Sequence, residues 1–224
     1  MLNVSDISFA YKKNMILNHV SFQVVPGDCV GIIGANGCGK STLLSIIAGA
    51  LIPKSGTITL NHYDIKKNPK EFSRFIGYVP QDNALIPELS VKDNLRFWFQ
   101  GSKQNFDALI ASGELSFFGV HNFYDKKVSE LSGGMKKRVS LACAFSNKPA
   151  IFILDEPSTA LDPQFKKDMF EYLKTFINKH NGTIIITSHE WNELNLCNKL
   201  FFLKDGSLQP INSSLTREAL INLY

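Results

Sequence analysis

Apolar residues come in short blocks along this chain, and their spacing predicts strands alternating with helices. Val30-Gly31-Ile32-Ile33, Ile151-Phe152-Ile153-Leu154 and Thr183-Ile184-Ile185-Ile186-Thr187 are near-continuous apolar runs of strand length, the pattern of strands buried on both faces of a parallel sheet. Leu2 to Tyr11 and Ile16 to Val25 also read as strands, and Pro26-Gly27 turns the chain into Cys29 to Ile33. Pro53-Lys54-Ser55-Gly56 precedes an alternating strand, Thr57 to Leu60, with Asn61-His62 as the next turn. Phe75 to Val79 is a strand stopped at Pro80.

Helical spacing marks Ser41 to Ala48, which closes at Gly49, and Val91 to Gln100 behind a Ser90 cap backed by Asp93. It continues less regularly to about Phe118. Leu131-Ser132-Gly133-Gly134-Met135 opens a further helix with an apolar stripe of Met135, Val139, Ala142 and Cys143. Asp162-Pro163 opens another, striped by Phe165, Met169, Tyr172, Leu173, Phe176 and Ile177. Leu200 to Leu203 and Ser207 to Gln209 read as a hairpin turning at Asp205-Gly206, and Leu215 to Tyr224 as a short final helix.

The sum is an α/β fold: a mainly parallel sheet, an antiparallel β-rich N-terminal part, and a mostly helical lobe at 85–146 inserted into a core made of 1–84 and 147–224. Within the lobe, the run Phe97-Trp98-Phe99 is either its own core or part of a docking surface.

Between the first buried strand and its helix lies Gly34-Ala35-Asn36-Gly37-Cys38-Gly39-Lys40-Ser41-Thr42, a match to the P-loop pattern without a gap. Strand before and helix after are the context this motif requires. Its glycines let backbone N–H groups turn inward on a di- or triphosphate, and the helix start adds its positive dipole end. Lys40 then reaches the β/γ-phosphates, and the Ser41 hydroxyl is placed to ligate Mg²⁺.

The second buried strand ends in Asp155-Glu156, at the carboxyl edge where open α/β sheets bind ligands. Adjacent carboxylates there point to opposite faces, so Asp155 is expected on the Mg²⁺ shell and Glu156 towards an attacking water. The third ends in Ser188-His189; a lone histidine is usually structural, and at this edge, beside the γ-phosphate expected there, the alternative is a donor to that phosphate. Gln81 directly follows a strand, and is either a solvated loop residue or a reach into the site as a Mg²⁺ or water ligand. Tyr11, on the rim of the first sheet, either stacks on a purine base or packs its ring edge. The cap and glycines of Ser132-Gly133-Gly134 leave bare N–H donors at a helix start, a second anion site or ordinary capping chemistry.

Composition narrows the setting. With 224 residues and 44% hydrophobic content the chain can bury a full core. Net charge is only +4, and lysine pairs such as Lys66-Lys67, Lys126-Lys127 and Lys136-Lys137 read mostly as solvated faces, so direct nucleic-acid binding is not expected. Cys29, Cys38, Cys143 and Cys197 lack the spacing of a zinc site or a disulfide framework, which fits a reducing cytoplasm. No segment approaches the roughly 18 apolar residues of a membrane span, so any membrane role is expected through a partner.

Taken in order, the P-loop, the glutamine loop, the helical lobe, Leu131 to Gly134, the Asp-Glu strand and the histidine strand resemble an ATP-binding cassette (ABC) ATPase over essentially the whole chain. The resemblance implies a P-loop NTPase core and a head-to-tail dimer, of like or unlike subunits, sandwiching two ATP molecules. One subunit's P-loop and the other's Leu131, Ser132, Gly133, Gly134 and Met135 would hold each ATP. It further implies that Tyr11 stacks on adenine, that Ser41, Gln81 and Asp155 serve Mg²⁺, and that Glu156 is the general base with Lys40, Gln81 and His189 around the γ-phosphate. Ser158, Thr159, Ala160, Leu161 and Asp162 would link the two sites. Met135 stands where the family usually has glutamine, and Cys38 sits at a variable loop position open to oxidation.

With one cassette and almost nothing appended, the expected role is to power a separate membrane-spanning permease from the cytoplasmic face. That permease would dock beside Gln81, at Asn83 to Leu89 and Phe97 to Phe99. The contexts Tyr78-Val79-Pro80-Gln81 and Leu89 to Leu95, and the lack of a regulatory C-terminal domain, resemble bacterial drug- or lipid-type exporters. The alternative is a soluble ABC ATPase acting on nucleic acid or the ribosome, whose usual second cassette or long insertion is not seen here.

Overall fold

A computed structural model describes residues 1–101, 103–113 and 115–212. The first two strands, β1 (Leu2–Tyr11) and β2 (Asn14–Val24), pair antiparallel. β3 (Cys29–Ile33) leads through the P-loop into α1 (Lys40–Ile47), and β4 (Ser55–Leu60) returns to pair with β1. β5 (Tyr63–Asp64), α2 (Pro69–Ser73) and β6 (Ile76–Val79) follow. α3 (Val91–Trp98), α4 (Lys103–Ala111), three short 3₁₀ turns and α5 (Gly133–Ser146) lie between β6 and β7 (Ile151–Asp155). The chain then runs through α6 (Pro163–His180), β8 (Thr183–Thr187), α7 (Trp191–Leu194), β9 (Lys199–Lys204) and β10 (Ser207–Ile211).

Two sheets result. One is antiparallel, in the order β2-β1-β4-β5; the other has the order β10-β9-β3-β8-β7-β6, parallel except for β10. Alternation decides how the large sheet is used. Along β7, Ile151 and Ile153 enter the core shared with α1 and the antiparallel sheet, whereas Phe152 and Leu154 enter the core under α5 and α6. Both faces are covered at its centre, which is why β3, β7 and β8 are buried at every position. The sheet is closed on one side by Asp28, which accepts from Lys199 Nζ at 2.7 Å and from the Val25 N–H, so the turn before β3 is tied to β9. Burial alone would push its carboxyl up, but Lys199, the Val25 N–H and Asn198 hold it below its ordinary range.

The Ser90 cap forms as expected, accepting from the Asp93 N–H. Asn94, one turn further, is fully buried and grips the loop before α3: its Oδ1 accepts from Ile86 N at 2.8 Å and its Nδ2 donates to the Ile86 and Ser90 carbonyls. Asn94→Ala leaves those groups unpaired in a dry site and is expected to lower stability by about 2–4 kcal/mol, read by urea unfolding.

Several expectations need correction. The helix after Ser90 ends at Trp98, two residues short, because Phe99 turns to extended backbone. The aromatic run does not form the lobe's core: Phe97 is 61% and Trp98 41% exposed, and only Phe99 packs inward, against Phe106. α5 has more than a stripe; from Val139 to Ser146 it is enclosed on every side. Lys137 is therefore no solvated residue but a buried one. The short helices α2 and α7 carried no periodic signal. The expected helix at 215–224 lies outside the described residues.

Candidate functional site

The P-loop hangs between β3 and α1, and two of its glycines, Gly34 and Gly39, are required by close packing. A Cβ on Gly34 would sit 2.4 Å from the Leu203 carbonyl oxygen, and one on Gly39 2.8 Å from Ile16 Cγ2, at φ +110°. No side chain caps α1 at Gly39, so the helix-start N–H groups are left for a ligand. Lys40 Nζ donates to the carbonyls of Gly34 at 2.7 Å and Ala35 at 3.1 Å, which folds the ammonium over the loop it belongs to. Cys38 is half-buried, its sulfur packed towards Gly34.

Around this loop opens a cleft of about 540 Å³ lined by Tyr11, Ile16, Asn36, Gly37, Gly39, Lys40, Ser41, Thr42, Gln81, Glu156 and His189. Residues from five separate stretches of sequence thus meet in one cavity. Tyr11 stands 51% exposed at its rim, braced edge-on by Phe9, with a ring face free for a planar partner. Ile16 joins it from β2, an apolar lining residue that carries no motif and that sequence reasoning missed.

At the carboxyl edge of β7 the two acids separate. Asp155 is buried and accepts from the Thr187 hydroxyl, while its Oδ2 has no hydrogen-bond partner. An orphan carboxylate oxygen of this kind has the chemistry a hard cation takes; Ser41 and Gln81 line the cleft, whereas Asp155 is not among its lining residues. Glu156 takes a left-handed backbone, φ +46°, with its N–H on the Thr187 carbonyl, and this turn swings its carboxylate into the cleft. There Glu156 Oε1 lies 3.5 Å from His189 Nε2, and Thr159 Oγ1 donates to Oε2 at 3.4 Å.

Leu131 to Met135 and Ser158 to Asp162 do not line this cleft. They meet each other instead. Ser132 caps α5 by accepting from the Met135 N–H, a Cβ on Gly134 would lie 2.7 Å from the Ala160 oxygen, and Arg138 pairs with Asp162. The Phe165 N–H and Arg138 hold the Asp162 carboxyl below its ordinary range. Ser132 and Gly133 are exposed. Beneath these segments Glu193, on α7, is a buried carboxyl pushed up by desolvation; the Ser158 and Ser188 hydroxyls face it without completing hydrogen-bond geometry. Its only sequence signal is an acid spaced four residues after His189.

A family model described as ABC transporter matches residues 17–159. The linearmycin resistance ATP-binding protein LnrL of Bacillus subtilis is 35% identical over 216 residues, covering 95% of this chain and 69% of that protein. The Nod factor export ATP-binding protein I of Burkholderia orbicola is 37% identical over 209 residues, covering 92% and 68%. Among solved structures, a dimeric post-hydrolysis state of an ATP-binding cassette bound to ADP and Pi aligns with TM-score 0.84 and 26% identity, over 96% of this chain and all of that one. An ATP-binding subunit of an ABC transporter aligns with TM-score 0.86 and 27% identity, over 100% and 99%.

Proposed function

The chain belongs to the ABC transporter family as an ATP-binding subunit, and from that premise we propose that it hydrolyses Mg²⁺-bound ATP within a two-chain sandwich to drive a separate membrane-spanning permease. The observation that carries this reading is the split of the site. The phosphate loop, Gln81, Glu156 and His189 share one cleft, whereas Ser132 and Gly133 are exposed outside it, which supports a site completed by a second chain.

In this reading Tyr11 stacks on adenine, Gly34 to Thr42 wrap the phosphates, and Lys40 exchanges its loop carbonyls for phosphate oxygens. Ser41, Gln81 and Asp155 hold Mg²⁺, which when bound neutralises charge on the phosphates. Glu156 takes the proton of the attacking water. His189, within 3.5 Å of that carboxylate, keeps the water and the γ-phosphate in register. Ser158 to Asp162, packed on the α5 start, link the two sites across the dimer.

Residues 85–146 form the helical unit that receives the permease, and 1–84 with 147–212 the core. An apolar cavity of about 340 Å³ lies between them, lined in part by Tyr78, Pro80, Leu85, Trp98, Cys143 and Ala144, with exposed Phe97 beside Trp98. Exposed aromatics at the mouth of an apolar cavity are what an amphipathic helix end needs. The Nod factor export name of one relative favours export as the direction. The working place is the cytoplasmic face of the membrane, reached through the permease; among the described residues no helix is long and apolar enough to cross a bilayer.

Changing Phe97 to Ser together with Trp98 to Ala tests this. Membrane-bound protein in fractionated cells should fall by about 30-fold, with ATPase activity of the purified chain within about twofold of wild type. Unchanged membrane association would remove the docking surface. Wild-type chain absent from membranes but binding RNA or DNA in a salt-sensitive manner would favour a mechanical role on nucleic acid.

A further inference from the structure

We propose that Lys137 is a positioning residue: rooted in α5, its ammonium holds the backbone at Pro80 and Gln81, so that the glutamine loop of the nucleotide cleft and the turn at Ser132 move as one body. The inference rests on the reading of that cleft as the ATP site.

Lys137 is only 3% exposed, and its Nζ donates to the Pro80 carbonyl at 3.1 Å and the Gln81 carbonyl at 3.4 Å, across 57 and 56 residues of chain. An ammonium in a dry interior is costly, and a leucine or methionine would fill the same space without that cost. Desolvation pushes Lys137 down from its ordinary range, and Asp155, Glu156, Asp82 and Glu193 pull it back up. Its hydrogen bonds go to backbone carbonyls, not to those acids.

Those two carbonyls are where β6 has left the sheet. Val79 is the last residue of β6 paired with β7, and Pro80 and Gln81 lie beyond that ladder. Gln81 then projects an exposed side chain into the cleft, from a backbone fixed by a lysine on another element. On the other side, Lys137 stands one turn into α5, whose cap is Ser132. A shift of either end is therefore passed to the other through one buried side chain.

Lys137→Met keeps the length of the stem and removes every donor. We expect ATP affinity, measured with a fluorescent analogue, to stay within about threefold while kcat falls about 10- to 100-fold, the signature of a misplaced group rather than a lost ligand. Hydrogen exchange should accelerate in 79–86 and stay unchanged in β3, β7 and β8. Lys137→Gln retains an N–H donor without the charge and should recover about tenfold of the loss in kcat, with 79–86 protected again.

Wild-type exchange and wild-type kcat in Lys137→Met would overturn the tether. So would accelerated exchange throughout the core with a parallel loss of ATP affinity, which would reduce Lys137 to a general folding role. A Lys137→Gln variant as slow as Lys137→Met with 79–86 protected would show charge, not tethering, to be what matters. If the wild-type chain binds no ATP, the functional reading falls, and the exchange measurement still decides the tether.

Discussion

Glu156→Gln is expected to slow ATP hydrolysis by about 10²- to 10⁴-fold and to leave a dimer that forms only with ATP, visible as a doubling of mass in light scattering. The amide preserves the shape of the side chain and its left-handed backbone, φ +46°, but has no charge with which to take a proton. Nucleotide contacts stay as they are, because Lys40, Ser41 and Tyr11 come from other elements of the cleft. Binding therefore survives while chemistry stops, and the bound state accumulates. Hydrolysis at the wild-type rate would take Glu156 out of the proton-accepting role. A monomer that still binds ATP would place the requirement for closure on the permease, or on Met135 at the start of α5.

Gly133→Asp is the second large effect, and it tests the other half of the site. A Cβ at Gly133 meets only the Ala160 methyl at 4.0 Å, so the chain's own fold has room for a side chain there. Gly134 has no such room, with the Ala160 oxygen at 2.7 Å, and a substitution there would disturb the subunit itself. The aspartate would direct a negative charge outward from the helix start, at the place proposed to meet the phosphates of the ATP held by the other chain. Like charges at contact distance in a closing, drying interface cost enough to prevent closure. ATP binding per chain is expected within about threefold of wild type, with the ATP-dependent dimer absent and hydrolysis down about 10²-fold. An unimpaired dimer would mean that Ser132 and Gly133 do not touch the partner's nucleotide.

Whatever depends on neighbours within a turn or a strand is legible in the residues alone. The apolar blocks at 30–33, 151–154 and 183–187 could only be buried strands, and they became β3, β7 and β8 with boundaries within a residue or two. Ser90 and Asp162 announced their helices because a cap needs only its own next three residues. The P-loop is legible for the same reason, since its glycines and lysine act through local backbone. Short helices such as α7, four residues long, have too little periodicity to be read.

Which of these local pieces face one another depends on how the whole chain packs. Tyr11, Gln81, Glu156 and His189 are far apart in sequence, and the parallel order of β3, β8, β7 and β6 brings the last three to one edge. Phe97, Trp98 and Phe99 are alike as an apolar run, yet the end of α3 leaves two in solvent and turns the third inward. Lys136 and Lys137 look like one solvated pair, and enclosure of α5 by its neighbours buries only the second, against carbonyls 57 and 56 residues away. Local pattern sets how each segment folds; the cost of burying a charge or an aromatic ring is set by whatever the rest of the chain places beside it.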